Sequence, residues 1–230
     1  MAIVLVPGFM LDSDMWSDVV PYFDFAAPLI HAETSNGSTI EEMARQILQT
    51  APAHFVLIGF SMGGYIAREI ARIAPERVSH LILVATSSRG DTEQQILQKQ
   101  EAVSAMSASF AGVSRKSIRQ SLAPQHEHDS VLIGRIRAMS LRLGREVFRK
   151  QALMPRKGDD DGLAEIQCPT LVIAGAFDQL RSMEEAEELQ RGIPGAILAV
   201  MDAGHMIPME SPDEMARAVL DFLSETVIQQ

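Results

Sequence analysis

The segment with the clearest chemical potential spans residues 59–63, which read Gly-Phe-Ser-Met-Gly and match the pattern G-x-S-x-G. The apolar run Phe-Val-Leu-Ile precedes it and a helical pattern begins at Met62, so Ser61 falls at a strand-to-helix turn. Such a turn exposes the serine above a sheet, and the helix N-terminus offers free N–H groups to an oxyanion. Glycines fit at positions 59 and 63 because a Cβ there would collide with neighbouring backbone. This context predicts that Ser61 is a nucleophile rather than part of an inert glycine-rich turn.

A serine hydroxyl is a weak nucleophile near neutral pH and needs a general base. His205 is the first candidate because it follows the last predicted strand and precedes the last helix, where strand ends gather functional loops. His31 also follows a short strand and is the second candidate. His54 and His80 precede strands, so we expect them at the opposite edge of the sheet.

The base needs an acid that orients it. Asp178 follows a predicted strand in Ala-Gly-Ala-Phe-Asp and is favoured. Asp202 lies three residues before His205 and is the local competitor, although it is better placed to end the strand. His126 and His128 lie in the polar turn His-Glu-His-Asp, which is more typical of a solvated loop than of a metal site.

An oxyanion hole requires two backbone donors. Met62, directly after the serine, supplies one, and Phe9, in the loop Pro-Gly-Phe-Met after the first strand, is expected to supply the other. Met10, Phe60 and Met206 flank these groups and are candidates for an adaptable apolar pocket, although each of them could equally belong to the core.

The elements that must position these residues alternate between short β-branched runs and longer helical patterns, which favours βαβ units and a parallel sheet. Strands are predicted over residues 3–6, 26–30, 55–58, 81–85, 171–174 and 196–200. Helices are predicted over residues 14–22, 39–50, 62–73, 183–191 and 212–227. Between residues 85 and 171 no buried strand is evident, and helices are predicted over residues 92–107, 114–122 and 130–151. This interval predicts a helical cap over the strand ends.

Taken together, the chain resembles the α/β-hydrolase superfamily along nearly its whole length. The resemblance is carried by Val-Pro-Gly-Phe at 6–9, the Ser61 elbow, Ala-Gly-Ala-Phe-Asp at 174–178 and Ala-Gly-His-Met-Ile-Pro-Met-Glu at 203–210. The order serine, aspartate, histidine is also that of the superfamily. The most similar branch has a small helical cap and includes enol-lactonase-like and methyl-ester carboxylesterase-like enzymes.

The resemblance implies an α/β fold with a mostly parallel sheet of about six strands, helices on both faces and a cap, with the first hairpin of the superfamily missing. Residues 1–86 and 164–230 would form the core domain and residues 87–163 the cap. It implies hydrolysis of a small or medium carboxylic ester, lactone or thioester through an acyl-serine intermediate, without a metal or organic cofactor. The same triad could instead serve a carbon–carbon bond hydrolase or a cyanohydrin-type lyase, or a binding protein that has lost turnover. A serine rather than an aspartate at the elbow argues against a dehalogenase.

The amino-acid composition limits the classes of molecule that the protein is expected to bind. Thirty acidic against twenty basic residues give a formal net charge of −10, which argues against nucleic-acid or anionic-membrane binding. The single cysteine, Cys168, is interpreted as a small buried filler. With neither a signal-sequence pattern nor an apolar membrane-spanning stretch, a cytoplasmic enzyme acting on a small molecule is expected, as a monomer or a homodimer.

The predicted cap departs from this charge balance. Residues 112–157 hold eleven Lys or Arg and three acidic residues, a local charge of +8. Such a face is usually solvated, but it could attract an acidic substrate or partner, with Arg142 and Arg145 as the first residues to test.

Overall fold

The computed structural model describes residues 2–23, 28–106 and 109–227. Within them, six strands form one parallel sheet in the order β2-β1-β3-β4-β5-β6. The strands are β1 Ala2–Val6, β2 Leu29–His31, β3 Phe55–Phe60, β4 Val78–Val84, β5 Thr170–Gly175 and β6 Ile197–Met201. The predicted parallel α/β sheet is therefore confirmed.

Helices follow most strands, as a parallel sheet requires. They are α1 Ile40–Thr50, α2 Met62–Ile73, α3 Glu93–Ser104, α4 Arg115–Gln120, α5 Ser130–Leu153, α6 Met183–Gly192, α7 Ile207–Glu210 and α8 Pro212–Val227. Helix α6 begins with a full capping box between Ser182 and Glu185. Among the described residues, no helix is both long and apolar enough to span a membrane.

Side chains alternate across the sheet because successive strand residues point to opposite faces. Along β1, Ile3 and Leu5 pack into one apolar core with α8, whereas Val4 and Val6 pack into a second core with α1, α2 and α6. The two cores lie on opposite faces and hold the sheet rigid, so the strand ends form a fixed platform.

Two predicted elements differ in the structure. The segment 14–22 forms two short 3-10 turns, Ser13–Trp16 and Val20–Tyr22, instead of one helix. Pro21 explains the break because it cannot donate the backbone hydrogen bond that would continue a helix. The strand predicted over 26–30 is described only as Leu29–His31, and residues 26 and 27 lie outside the described residues.

Three helices lie in the long interval between β4 and β5, and α5 packs against both α3 and α4. Helix α3 ends at Ser104, and residue 107 of the predicted helix lies outside the described residues. The helical backbone of α5 is interrupted at Gly144, where φ is 80° and ψ is −180°. Its first half therefore buries Ile136 and Met139 in the core that contains α8, while its second half takes a different direction.

Candidate active site

Ser61 lies between β3 and α2 with φ 51° and ψ −112°, a backbone conformation that side chains rarely adopt. Hydrogen bonds hold this strained turn from both sides. The Ser61 N–H donates to the carbonyl of Val84 at 2.9 Å, and its carbonyl accepts from the Thr86 hydroxyl at 2.7 Å. The turn thus presents a partly exposed hydroxyl at the carboxyl edge of the sheet.

The two glycines of the elbow are required by close backbone approaches. A Cβ on Gly63 would lie 2.3 Å from the carbonyl oxygen of Val6, and one on Gly59 would lie 2.5 Å from that of Gly63. Helix α2 can therefore start directly against β1 and β3 only with glycine at these positions.

His205 and Asp178 meet Ser61 from two other strand ends. The Nε2 of His205 lies 3.0 Å from the Ser61 Oγ, and its Nδ1 lies 2.7 Å from Oδ2 of Asp178. Asp178 follows β5 and His205 follows β6, so parallel strands deliver all three side chains to one edge. The side chains of His205 and Asp178 are 7% and 2% exposed, which keeps water from competing for these hydrogen bonds.

The geometry also assigns the imidazole proton. A carboxylate only accepts hydrogen bonds, so His205 donates through Nδ1 to Asp178 and presents the lone pair of Nε2 to the Ser61 hydroxyl. The other oxygen of Asp178 accepts from the backbone N–H groups of Leu180 and Arg181 at 2.8 and 2.9 Å, which fixes the carboxylate. This arrangement can remove a proton from the serine as it attacks an electrophile.

Phe9 lies in the loop after β1, which passes directly beside the elbow. A Cβ on Gly8 would lie 3.3 Å from that of Ser61. The backbone N–H groups of Phe9 and Met62 donate no hydrogen bond to the described residues, so both can serve a ligand. The side chain of Met62 is buried in the core around α2, so only its backbone N–H is available to the site.

A cavity of about 720 Å³ opens above Ser61 and His205. Phe9 borders it, as do the three pocket candidates Met10, Phe60 and Met206. Phe60 also packs against the His205 ring with centroids 5.1 Å apart, which limits rotation of the imidazole. Residues of α3 and α5 also border it, so helices between β4 and β5 line the same cavity as Ser61 and His205.

Gln151 is a buried residue of the site that the sequence did not reveal. Its side-chain oxygen accepts from the Met10 N–H at 2.8 Å, and its amide donates to the Thr34 carbonyl at 3.2 Å. The partner is 141 residues away along the chain, so no local pattern could have found it.

Glu210 positions the loop that carries His205. One oxygen accepts from the Met206 N–H at 3.0 Å, and the other accepts from the Ala123 N–H at 2.7 Å and contacts His126 at 3.2 Å. Its side chain is inaccessible to solvent. The His205 N–H in turn donates to the carbonyl of Ser121 at 2.8 Å, so the segment after α4 holds the base in place.

The competing candidates lie elsewhere. His31 ends β2 and borders a separate surface groove with Asp12 and Arg142, and burial lowers its pKa. Asp202 is exposed just after β6. His54 precedes β3 at the opposite edge, as expected, whereas His80 lies within β4 because that strand begins at Val78, earlier than the sequence suggests.

The basic face of α5 is largely paired within the protein. Arg142 contacts Asp12 at 2.8 Å and Asp14 at 3.1 Å, and Arg135 contacts Asp18 at 2.7 Å. These acids belong to the segment after β1, so the cationic face docks α5 on the strand ends. Arg142 is therefore an internal ion-pair partner and a poor candidate for an acidic ligand.

Two further observations concern the reactivity of Cys168 and the binding of a metal ion. Burial raises the pKa of the Cys168 thiol from the usual 9.0 to about 11, which fits a packed and unreactive side chain. Within the described ranges, no three His, Cys, Asp or Glu side chains are grouped to hold a metal ion.

Comparisons with known proteins agree with this architecture. The chain is similar to the pimeloyl-[acyl-carrier protein] methyl ester esterase of Photobacterium profundum, with 25% identity over 96% of this chain and 94% of that one. A thermophilic esterase from Thermogutta terrifontis superposes with a TM-score of 0.86 and 29% identity, covering 98% of this chain and 90% of the other. The enol-lactonase of Burkholderia xenovorans shares the fold, with a TM-score of 0.83 and 19% identity over 97% of this chain and 91% of that chain.

A family model finally matches residues 2–212, from β1 to the start of α8, and its description is the alpha/beta hydrolase fold. The matched region includes all six strands, the elbow and both loops that carry Asp178 and His205. The chain belongs to the α/β-hydrolase fold family, whose members here include esterases and a lactonase.

Proposed function

We propose that this protein hydrolyses carboxylic esters through an acyl-enzyme intermediate on Ser61. The observation that carries the proposal is the continuous hydrogen-bond chain from Asp178 through His205 to the Ser61 hydroxyl, which opens on a largely apolar cavity. Nothing further is needed to activate the serine, because the base is in contact and its orienting acid is fixed.

In the acylation step, the Ser61 Oγ attacks the ester carbonyl while Nε2 of His205 takes its proton. The carbonyl oxygen becomes an oxyanion, which the backbone N–H groups of Phe9 and Met62 stabilise. The new imidazolium is stabilised by Asp178 and returns the proton to the leaving alcohol, so the alkyl–oxygen group departs as a neutral alcohol.

In the deacylation step, water enters the cavity and donates a proton to Nε2 of His205 as it attacks the acyl-serine carbonyl. The second tetrahedral intermediate uses the same two N–H groups. As the intermediate collapses, the His205 imidazolium returns its proton to the Ser61 oxygen, which restores the hydroxyl and releases the carboxylic acid.

The esterase activity in the names of the Photobacterium and Thermogutta proteins supports an ester over a carbon–carbon bond as the substrate. The cavity is bordered by Met106, Phe110, Ile136 and Phe148, so an apolar acyl or alkyl chain fits beside the serine. Residues 87–163 act in this proposal as a cap that selects the substrate, and residues 1–86 and 164–230 act as the catalytic core.

The test is hydrolysis of a series of methyl and p-nitrophenyl esters of increasing acyl length. Ser61→Ala and His205→Ala should each lower kcat by roughly three orders of magnitude or more, and Asp178→Asn by at least a hundredfold. His31→Ala and Asp202→Asn are matched controls, because they remove a histidine and a carboxylate of the same sheet edge that do not contact Ser61. Both should stay within about twofold of the native protein.

Full activity of Ser61→Ala would refute the acyl-serine route. A protein that turns over no ester but cleaves a β-diketone would refute the ester assignment and favour carbon–carbon bond hydrolysis by the same residues.

A further inference from the structure

The wall of the cavity carries three cations. Lys99 from α3, Arg156 from the segment after α5 and Arg181 from the loop before α6 all border it, with Asp91 as the acidic side chain among them. This concentration of positive charge contrasts with the net charge of −10 of the whole chain.

Two of the three cations have partners. The ammonium of Lys99 is paired with Asp91 at 2.5 Å, and Arg181 donates to Glu185 at 3.2 Å. These pairs neutralise each other, so neither Lys99 nor Arg181 leaves a free charge on the wall.

Arg156 is the exception. Its guanidinium makes no hydrogen bond and no ion pair with any residue that the structure describes, and its Nε is inaccessible to solvent. The nearby carboxylate of Asp91 is already engaged by Lys99. A buried donor without a hydrogen-bond partner is costly, so the Nε of Arg156 requires an acceptor from outside the described residues, such as water, an ion or a ligand.

The charges around Arg156 agree with this description. Burial lowers the pKa of Arg156, an effect that Asp91 partly opposes and Arg181 reinforces. Burial together with the positive charge of Arg156 lowers the pKa of Lys99 as well. Asp91 balances the charge of Lys99 and Glu185 that of Arg181, so Arg156 is the member of this set of three cations without a paired acid.

Aromatic side chains also line the cavity that Arg156 borders. Phe148 packs against Phe9 with ring centroids 5.4 Å apart and against Phe110 at 5.5 Å, and all three border the cavity. A ligand that extends from Ser61 to Arg156 within this cavity has aromatic surface beside it, which favours a hydrocarbon linker.

Resting on the ester hydrolysis proposed above, we infer that Arg156 is a specificity-determining residue that binds an anionic group of the substrate. The substrate class is an ester joined through an apolar linker to one carboxylate or phosphate. The planar guanidinium can hold either group by paired charge-assisted hydrogen bonds.

The first test compares kcat/KM for monomethyl esters of linear dicarboxylic acids with that for methyl esters of monocarboxylic acids of equal length. The native protein should prefer the acid-bearing ester at one linker length, and Arg156→Gln should reduce this preference at least about tenfold, as expected for loss of a charge-assisted hydrogen bond. Arg156→Lys should retain part of it. Arg149→Gln is the matched control, because Arg149 is exposed on α5 and pairs with Glu146.

A second measurement does not depend on turnover. Calorimetric titration of Ser61→Ala with adipate and with hexyl phosphate reports binding of the anion and distinguishes its two chemical sources. Adding Arg156→Gln to Ser61→Ala should weaken the tighter of the two ligands at least about tenfold.

The two failures are distinguishable. A preference ratio within twofold of the native value in Arg156→Gln, together with equal or undetectable binding in the two Ser61→Ala proteins, overturns the anion site and leaves ester hydrolysis standing. Absence of ester turnover with an Arg156-dependent binding difference overturns the proposed activity and supports the anion site.

Discussion

The side-chain oxygen of Gln151 accepts a hydrogen bond from the backbone N–H of Met10 across 2.8 Å. Met10 has a φ of 57°, so the contact holds a strained backbone directly after Phe9. Gln151 belongs to the second half of α5, beyond the interruption at Gly144. The direction that α5 takes after Gly144 thus decides where the proposed oxyanion donor lies.

Replacing Gln151 with leucine should therefore impair catalysis more than binding. We expect kcat to fall about tenfold to a hundredfold, less than complete loss of an oxyanion donor would cause. The unpaired Met10 N–H should also lower the free energy of unfolding by about 1–3 kcal/mol. Steady-state ester kinetics and urea denaturation measure both, and Gln49→Leu on the exposed face of α1 is the control. A kcat within twofold of native would contradict this role.

Glu210 offers a second positioning test. Its two oxygens accept backbone hydrogen bonds from Met206 and Ala123, and an amide has only one acceptor oxygen. Glu210→Gln should therefore set an N–H group against one of these donors, displace the His205 loop and lower kcat about tenfold with a smaller change in KM. Glu225→Gln at the exposed end of α8 should behave as native. If variants of other helices that lose the same free energy of unfolding show the same fall in kcat, the effect of Glu210→Gln is only general destabilisation.

The ion pair of Arg68 and Asp159 should dominate the stability of the segment that returns from α5 to β5. Arg68 is fully buried and donates to both oxygens of Asp159, at 2.7 and 2.8 Å. Asp159→Ala leaves an unpaired buried guanidinium, so the free energy of unfolding should fall by about 3–5 kcal/mol. Urea denaturation measures this, with the exposed Asp161→Ala as control. A loss below about 1 kcal/mol would show that water replaces the carboxylate.

Cys168 gives a pH prediction. Because burial raises its pKa from 9.0 to about 11, the folded protein keeps the thiol protonated over a range in which the unfolded chain loses the proton. Its contribution to stability is thus complete below pH 9 and declines between about pH 9 and pH 11. Iodoacetamide should alkylate the folded protein at pH 9 far more slowly than the protein in guanidinium chloride. Equal rates, read by mass spectrometry, would contradict the shift, and Cys168→Ala is the blank.

Local sequence patterns can predict those residues of the candidate site that directly follow a strand. Ser61, Asp178 and His205 each follow a predicted strand, so the parallel sheet alone implies that they meet. The interruption of α5 was missed because Gly144 is tolerated in a helical pattern and its backbone conformation is set by packing.

The ion pairs of the basic cap residues could not be predicted from the sequence either. Arg142 and Asp12 lie 130 residues apart, and only the fold brings them together. From the sequence, the basic face is expected to be mainly solvated, with an acidic ligand at Arg142 and Arg145 as the alternative. Among the described residues, the cavity cation without a hydrogen-bond or ion-pair partner is Arg156, which no periodicity distinguishes from its neighbours.

Labelling with a fluorophosphonate tests directly whether Ser61 is the nucleophile. Intact-mass spectrometry after incubation with a fluorophosphonate should show a single adduct on the native protein, and peptide mapping should place it on Ser61. Ser61→Ala should remain unmodified, and His205→Ala should react far more slowly because the hydroxyl has lost its base. An adduct of undiminished yield on Ser61→Ala would show that Ser61 is not the nucleophile.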